Sequence, residues 1–153
     1  MAIVKLAANP CSSENDLENL CNYIIRPDRA GNNGRYVFGR GVNPYNAYKE
    51  FTDMQKLFGK AFGRRAYHLI VSLPYTQGYT EEDMLNVSLR IMDLFYPKYQ
   101  LMGAVHVEQD NLHSHFAINP VPMEVGNNRK LEIDYALMHR LSNIIEDIVK
   151  EIE

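Results

Sequence analysis

Three of the chain's five histidines fall within ten residues, in the run His106-Val107-Glu108-Gln109-Asp110-Asn111-Leu112-His113-Ser114-His115-Phe116-Ala117-Ile118-Asn119. The spacing is H-x6-H-x-H. His113 and His115 are two apart, so on a β-strand they share a face. His106 ends the apolar run Leu101-Met102-Gly103-Ala104-Val105, which reads as a strand, and Gln109-Asp110-Asn111 is a polar break of turn type. A β-hairpin built this way brings three imidazoles toward one point. Such a triad is what a metal ion takes from a protein when its remaining positions stay open for substrate or water. Glu108 shares its strand face with His106, and Asp110 sits at the turn. Either carboxylate can hold an imidazole in its ligating tautomer. The plainer alternative is a hairpin whose histidines are merely exposed or hydrogen-bonded.

A Lewis acid at such a site polarises a phosphoryl oxygen or activates water. Covalent chemistry also needs a nucleophile. Tyr23, in Asn22-Tyr23-Ile24-Ile25-Arg26-Pro27, is the candidate, because it directly precedes a basic, glycine-rich loop. A phenol forms a phosphoester once a metal or base activates it. The alternative for Tyr23 is packing at a helix end, as one of ten tyrosines. Tyr135, in the last helical stretch, is its rival as nucleophile.

The elements that must position these groups are legible in order. Ala2-Ile3-Val4-Lys5-Leu6 alternates and reads as a first strand. Ser12 or Ser13 caps a helix with Glu14, Asp16 and Glu18 at its positive end, and Leu17, Leu20, Cys21, Ile24 and Ile25 mark one face. Pro27 ends it. Asp28 to Asn46 is a Gly-, Asn- and Arg-rich loop, with room for a short strand at Tyr36-Val37-Phe38. Asn43-Pro44 opens a second helix through Phe58, Ala66 to Pro74 is a buried strand, and Thr80-Glu81-Glu82-Asp83 caps a third helix running to Phe95. The histidine hairpin follows. A last amphipathic helix occupies Leu131 to Ile152. This order predicts an α+β sandwich: a mostly antiparallel central sheet with helices packed on it.

Composition bounds the rest. The 153 residues, 46% hydrophobic and 23% charged, suit one domain with a real core. No run approaches the ~20 apolar residues of a membrane helix. Two cysteines make no disulfide framework, so a reduced cytoplasm is expected. The net charge of −3 argues against nucleic acid, but residues 26–65 carry nine Lys and Arg against three acids. This segment is +6 and the remainder −9. A basic face of that kind binds phosphates whatever the total charge; scattered surface charge is the alternative.

On these motifs the chain resembles the relaxase/mobilisation nuclease domains of plasmid and conjugative-element relaxases, within the HUH endonucleases. The resemblance spans nearly the whole chain. It rests on the opening strand, Asn22 to Arg29, Leu57-Phe58-Gly59-Lys60 with Arg64-Arg65-Ala66-Tyr67-His68, the strand end Val71-Ser72-Leu73, and above all His106 to Asn119. Members of that family nick one DNA strand at a transfer origin. A tyrosine keeps the 5′-phosphate, and a divalent ion on three histidines polarises the scissile phosphate.

The resemblance implies an HUH-nuclease-like sandwich, a single relaxase-type nuclease domain over 1–153 that is part of a longer protein or a minimal member, His106, His113 and His115 as ligands, and Tyr23 as nucleophile. It implies Mg2+ or Mn2+. Imidazole donors by themselves would favour Zn2+, Cu2+ or Ni2+. The expected partner is single-stranded or locally melted origin DNA, with accessory relaxosome proteins and no membrane. Arg26, Arg29, Arg64 and Arg65 are expected on phosphates, and Tyr36 or Tyr45 on bases. His68, Ser72 and Asn119 are expected beside the ligands or on DNA, with a buried structural role as the alternative for His68. Two other readings stay open: a replication-initiator-type HUH nuclease using Tyr135, and a non-catalytic metal- or DNA-binding module.

Overall fold

A computed structural model describes residues 2–27, 36–74, 77–108, 111–126 and 129–152, the side chain of Glu108 excepted. Five strands form one sheet: β1 (Ile3–Leu6), β2 (Val37–Arg40), β3 (Tyr67–Pro74), β4 (Leu101–Glu108) and β5 (Asn111–Ile118). The helices are α1 (Glu14–Ile24), α2 (Ala47–Leu57), α3 (Glu81–Met92) and α4 (Tyr135–Glu151), and a 3-10 turn at Pro44–Asn46 leads into α2. The strand order is β1-β3-β5-β4-β2, and every neighbouring pair is antiparallel. This is the expected α+β architecture.

Local chemistry explains the boundaries. Ser13 accepts the Asp16 amide at 3.0 Å and starts α1. Thr80 and Asp83 form a reciprocal capping box at α3. Three details differ from the sequence expectations. The Tyr36 region does contribute a strand, displaced to Val37–Arg40, which pairs with β4 at the sheet edge. The second helix begins as a 3-10 turn capped by Asn43, because Asn46 precedes α2 without a side-chain cap bond. The last helix starts at Tyr135 rather than Leu131, because Asp134 accepts the Leu137 amide at 2.8 Å and fixes the N-terminus there.

Alternation divides the sheet into two faces. Leu69, Val71, Leu73, Leu101, Val105, Leu112, Phe116 and Ile118 point to one side and form the main core with α3 and α4. Met102, Ala104 and Ala117 point to the other, against Leu17, Cys21 and Ile24 of α1 and Ala47 and Phe51 of α2. His68, Ser72, His106, His113 and His115 have the same parity as this second set, and so belong to the α1/α2 face. Among the described residues no helix is long and apolar enough to cross a membrane.

Candidate active site

Strand register assembles the imidazoles. His106 lies directly opposite His113 across the β4–β5 hairpin, and His115 faces Ala104. On the other side β5 pairs with β3, placing Ser72 opposite His113 and Ile70 opposite His115. The His106 and His115 rings are 4.2 Å apart between centroids, and those of His113 and His115 are 6.2 Å apart. His68 joins them, with its Nε2 2.8 Å from His115 Nδ1. The Ser72 hydroxyl is 3.2 Å from His113 Nδ1.

The helix C-terminus delivers Tyr23 into this cluster. Its ring makes edge contacts with His106, His115 and His68 at centroid distances of 5.4, 5.5 and 6.3 Å. The link is covalent neighbour to hydrogen bond: the fully buried His106 donates from Nε2 to the carbonyl of Ile24, one residue beyond Tyr23, at 2.8 Å. A carbonyl only accepts, so this bond puts the proton on Nε2 and leaves Nδ1 as the ring's electron-pair donor. In the same way His68 engages His115 through Nδ1, and His115 Nε2 is buried with no hydrogen-bond partner. A buried ring nitrogen without a partner is costly unless something else uses its lone pair.

Burial, then the neighbouring charges of His106, His68, His113 and Lys5, pushes His115 down to about 2. Burial, then His106 and Lys5, pushes His68 down to about 4. Both rings are therefore neutral near pH 7, the form that binds metal. The donor chemistry fits a divalent ion. Among the described residues, however, no three His, Cys, Asp or Glu side chains stand in a ligating arrangement. The rings pack and hydrogen-bond to one another, so full convergence of His106, His113 and His115 requires side-chain rotation.

Other expected residues divide sharply. Arg26 is exposed at the end of α1, its amide 3.4 Å from the Tyr23 carbonyl. Arg64 stacks over Tyr67 at 4.3 Å and donates to the Ala66 carbonyl. Arg65, also expected on phosphate, has a side chain that is 13% exposed and stands 3.9 Å from Glu14. Lys56 also reaches Glu14, at 3.7 Å, and Lys49 pairs with Asp53 at 2.6 Å. The fold thus neutralises part of the basic excess of 26–65, partly with an acid from outside that segment. Tyr36 is buried in the main core and cannot stack on a base, whereas Tyr45 is exposed.

Asn119, expected beside the ligands or on DNA, is placed in the interior. It is wholly buried, and its amide is consumed by Gln55, Gln100 and the Val121 backbone at 3.1, 2.9 and 3.1 Å. It ties α2 to the end of β5 and touches neither ligand nor solvent. Arg29 and Asp110 lie outside the described residues, as does the Glu108 side chain. Tyr135 is 89% exposed and begins α4, the helix packed on the opposite face of the sheet.

Sequence reasoning missed Lys5. Pairing with Ile70 puts it on the histidine face of edge strand β1, and its charge reaches both His68 and His115. A lone lysine in an edge strand carries no local signal, since such lysines commonly guard edges.

An antiparallel sheet bearing a histidine cluster, with a helix presenting a tyrosine to it, defines a class of nuclease folds rather than one protein. The chain matches the relaxase family, MobA/VirD2-like nuclease domain, over residues 23–151, and it belongs to that family. It is similar to Protein TraI of Escherichia coli, 29% identical over 112 residues, which is 71% of this chain but 15% of TraI. The chain therefore spans a small part of the length of that relative. Its fold resembles the solved structure of the conjugative relaxase TrwC in complex with oriT DNA, a metal-bound structure. The TM-score is 0.56 at 13% identity, covering 99% of this chain and 68% of that one.

Proposed function

We propose that this domain nicks and rejoins one DNA strand at a transfer origin, for plasmid mobilisation or conjugation, through a 5′-phosphotyrosyl link to Tyr23. The observation that carries the reading is the edge contact of Tyr23 with both His106 and His115, at 5.4 and 5.5 Å. Family membership and the likeness to TraI and to the DNA-bound TrwC support it.

His106, His113 and His115 would hold a divalent ion, Mg2+ or Mn2+ in use and Zn2+ or Ni2+ where those are available. A bound ion of this kind draws charge from the scissile phosphate. The chain's own residues do the remainder. The Ile24 carbonyl and His68 fix the tautomers of His106 and His115 through their non-ligating nitrogens. Ser72 does the same for His113. Tyr23 gives up its phenolic proton as its oxygen bonds to phosphorus, the bond to O3′ breaks, and O3′ takes up a proton, so the proton count is unchanged. The number of P–O bonds is unchanged, so the 3′-hydroxyl can attack in return and rejoin the strand. Arg26, beside Tyr23, and Lys5, beside His68, supply the exposed cations for the flanking phosphates. Glu108 or Asp110 would orient a ligand imidazole. The domain acts in the cytoplasm, on locally melted DNA and with accessory proteins of the relaxosome.

The test is incubation with labelled single-stranded origin DNA and Mn2+, followed by mass mapping of the adduct. The expected result is a phosphodeoxynucleotidyl group on Tyr23. An adduct on Tyr135 would overturn the assignment in favour of an initiator-type nuclease.

A further inference from the structure

Beside Tyr23 and His68, both of which contact the histidine triad, a cleft of ≈ 220 Å³ opens between α1 and the β1–α1 connection. Its α1 wall is a single helical stripe: Asp16, Asn19, Leu20 and Tyr23, spaced i, i+3, i+4, i+7. The opposing wall is Asn9, Cys11 and His68. The family match begins at Tyr23, so it takes in Tyr23 and His68 but not the other five lining residues.

We infer that this cleft binds the nucleobase of one nucleotide flanking the scissile phosphate, with Asp16 and Asn19 reading its hydrogen-bonding edge. The inference rests on the nuclease reading above. Three properties of the cleft lead to it. First, size: it is smaller than the ~300–1,000 Å³ typical of drug-sized ligand pockets, and so suits one ring system rather than a run of nucleotides. Second, charge: among its lining residues Asp16 is the one charged type and none is Lys or Arg, so the cleft repels a phosphate and favours a neutral group with donors. Third, connectivity: Tyr23 lines both the cleft and the histidine cluster. A phosphate at the Tyr23 oxygen has a base only one sugar away.

The wall chemistry narrows the base. A carboxylate accepts hydrogen bonds, which matches the exocyclic amine of cytosine, adenine or guanine; thymine offers only N3–H, held between two carbonyls that repel the carboxylate. Asn9 Oδ1 already accepts the Cys11 amide at 2.8 Å, so Asn9 offers the base a donor from its NH2. Leu20 and the Tyr23 ring supply the apolar surface against which a base lies flat.

The experiment uses single-stranded oligonucleotides with a randomised central segment, Mn2+, and sequencing of both the Tyr23-linked and the released 3′-hydroxyl fragments. The unmodified chain should select one amine-bearing base at one flanking position by about tenfold over thymine. Asp16→Asn should erase that preference while leaving preferences elsewhere in the segment in place, and Asn19→Ala, at an exposed position, should weaken it. Thermal melts of both variants confirm that they fold. Adducts with no preference at either flanking position, or an Asp16→Asn profile that matches the unmodified chain, would overturn the subsite alone. No adduct from the unmodified chain would remove the nuclease reading, and the subsite with it.

Discussion

The two faces of the sheet use alternate residues of the same strands, yet they do opposite work. On the α3/α4 face, Leu69, Val71, Leu73, Leu112 and Phe116 close a hydrocarbon core with Ile91, Leu141 and Ile145. On the α1/α2 face, small residues such as Ala104 and Ala117 stand beside the imidazoles, and α1 covers them only as far as Tyr23. The comparison teaches how one sheet carries a buried polar cluster. The larger core on the first face holds the backbone, and the second face, with its smaller core, has room to keep ring nitrogens dry. Side-chain bonds, Ser88 of α3 to Ser114 at 2.6 Å on the core side and His68 of β3 to His115 at 2.8 Å on the other, pin the central strand β5 from both sides.

The largest effect should come from the smallest change on the site face. Tyr23→Phe removes one oxygen and should lower nicking by about 10⁴-fold or more, as loss of a nucleophile does. Its melting temperature and Mn2+ affinity should be unchanged. A variant that still forms the adduct would break the division of labour outright.

A core change should do the reverse. Ile145→Ala, at a fully buried position of α4, should cost about 2–5 kcal/mol in urea unfolding. Metal affinity of the folded fraction should not move, and a parallel fall in affinity would show that the faces are coupled more tightly than proposed.

Gly103 lies where the faces share backbone. A Cβ there would stand 2.2 Å from the His115 carbonyl and 2.6 Å from the Phe38 ring. Gly103→Ala should therefore destabilise by about 1–3 kcal/mol or more and, unlike Ile145→Ala, also weaken Mn2+ binding. Stability loss with intact affinity would mean that β5 absorbs the clash without moving His115.

His68→Ala should reduce metal affinity or nicking by about 10–100-fold, the usual cost of losing a group that orients a ligand. His68→Gln, which can still bond His115 Nδ1, should recover part of it. Equal loss in both variants would point to a direct ligand role instead.

The smallest effect is expected of thiol reagents. Burial pushes Cys21 up to about 12, and burial followed by the Asp16 charge pushes Cys11 up to about 11. Little thiolate exists at pH 8, so iodoacetamide should label the folded chain far more slowly than the urea-unfolded chain. Rapid labelling of Cys11 would show that its thiol is reached through the cleft beside Tyr23.

The sequence by itself determined the elements and the chemistry. The apolar runs Ala66 to Pro74 and Leu101 to Val105, capping at Ser12 or Ser13 and at Thr80, and the H-x6-H-x-H spacing are local signals. Each depends on dihedral preference and on which side chains share a face, and neither needs distant contacts. The spacing also fixed that His113 and His115 would point together. Only the tertiary structure decided which helix covers which face. That depends on strand order, and β1-β3-β5-β4-β2 is not written in any single segment. It put Tyr23 on the histidines and Tyr135 on the far side. It brought His68 and Lys5 to the cluster from strands remote in sequence. It also turned Arg65 toward Glu14 and sealed Asn119 between Gln55 and Gln100. A motif shows what a side chain is able to do. Whether an arginine meets phosphate or a neighbouring carboxylate is set by burial and by what the other end of the chain places beside it.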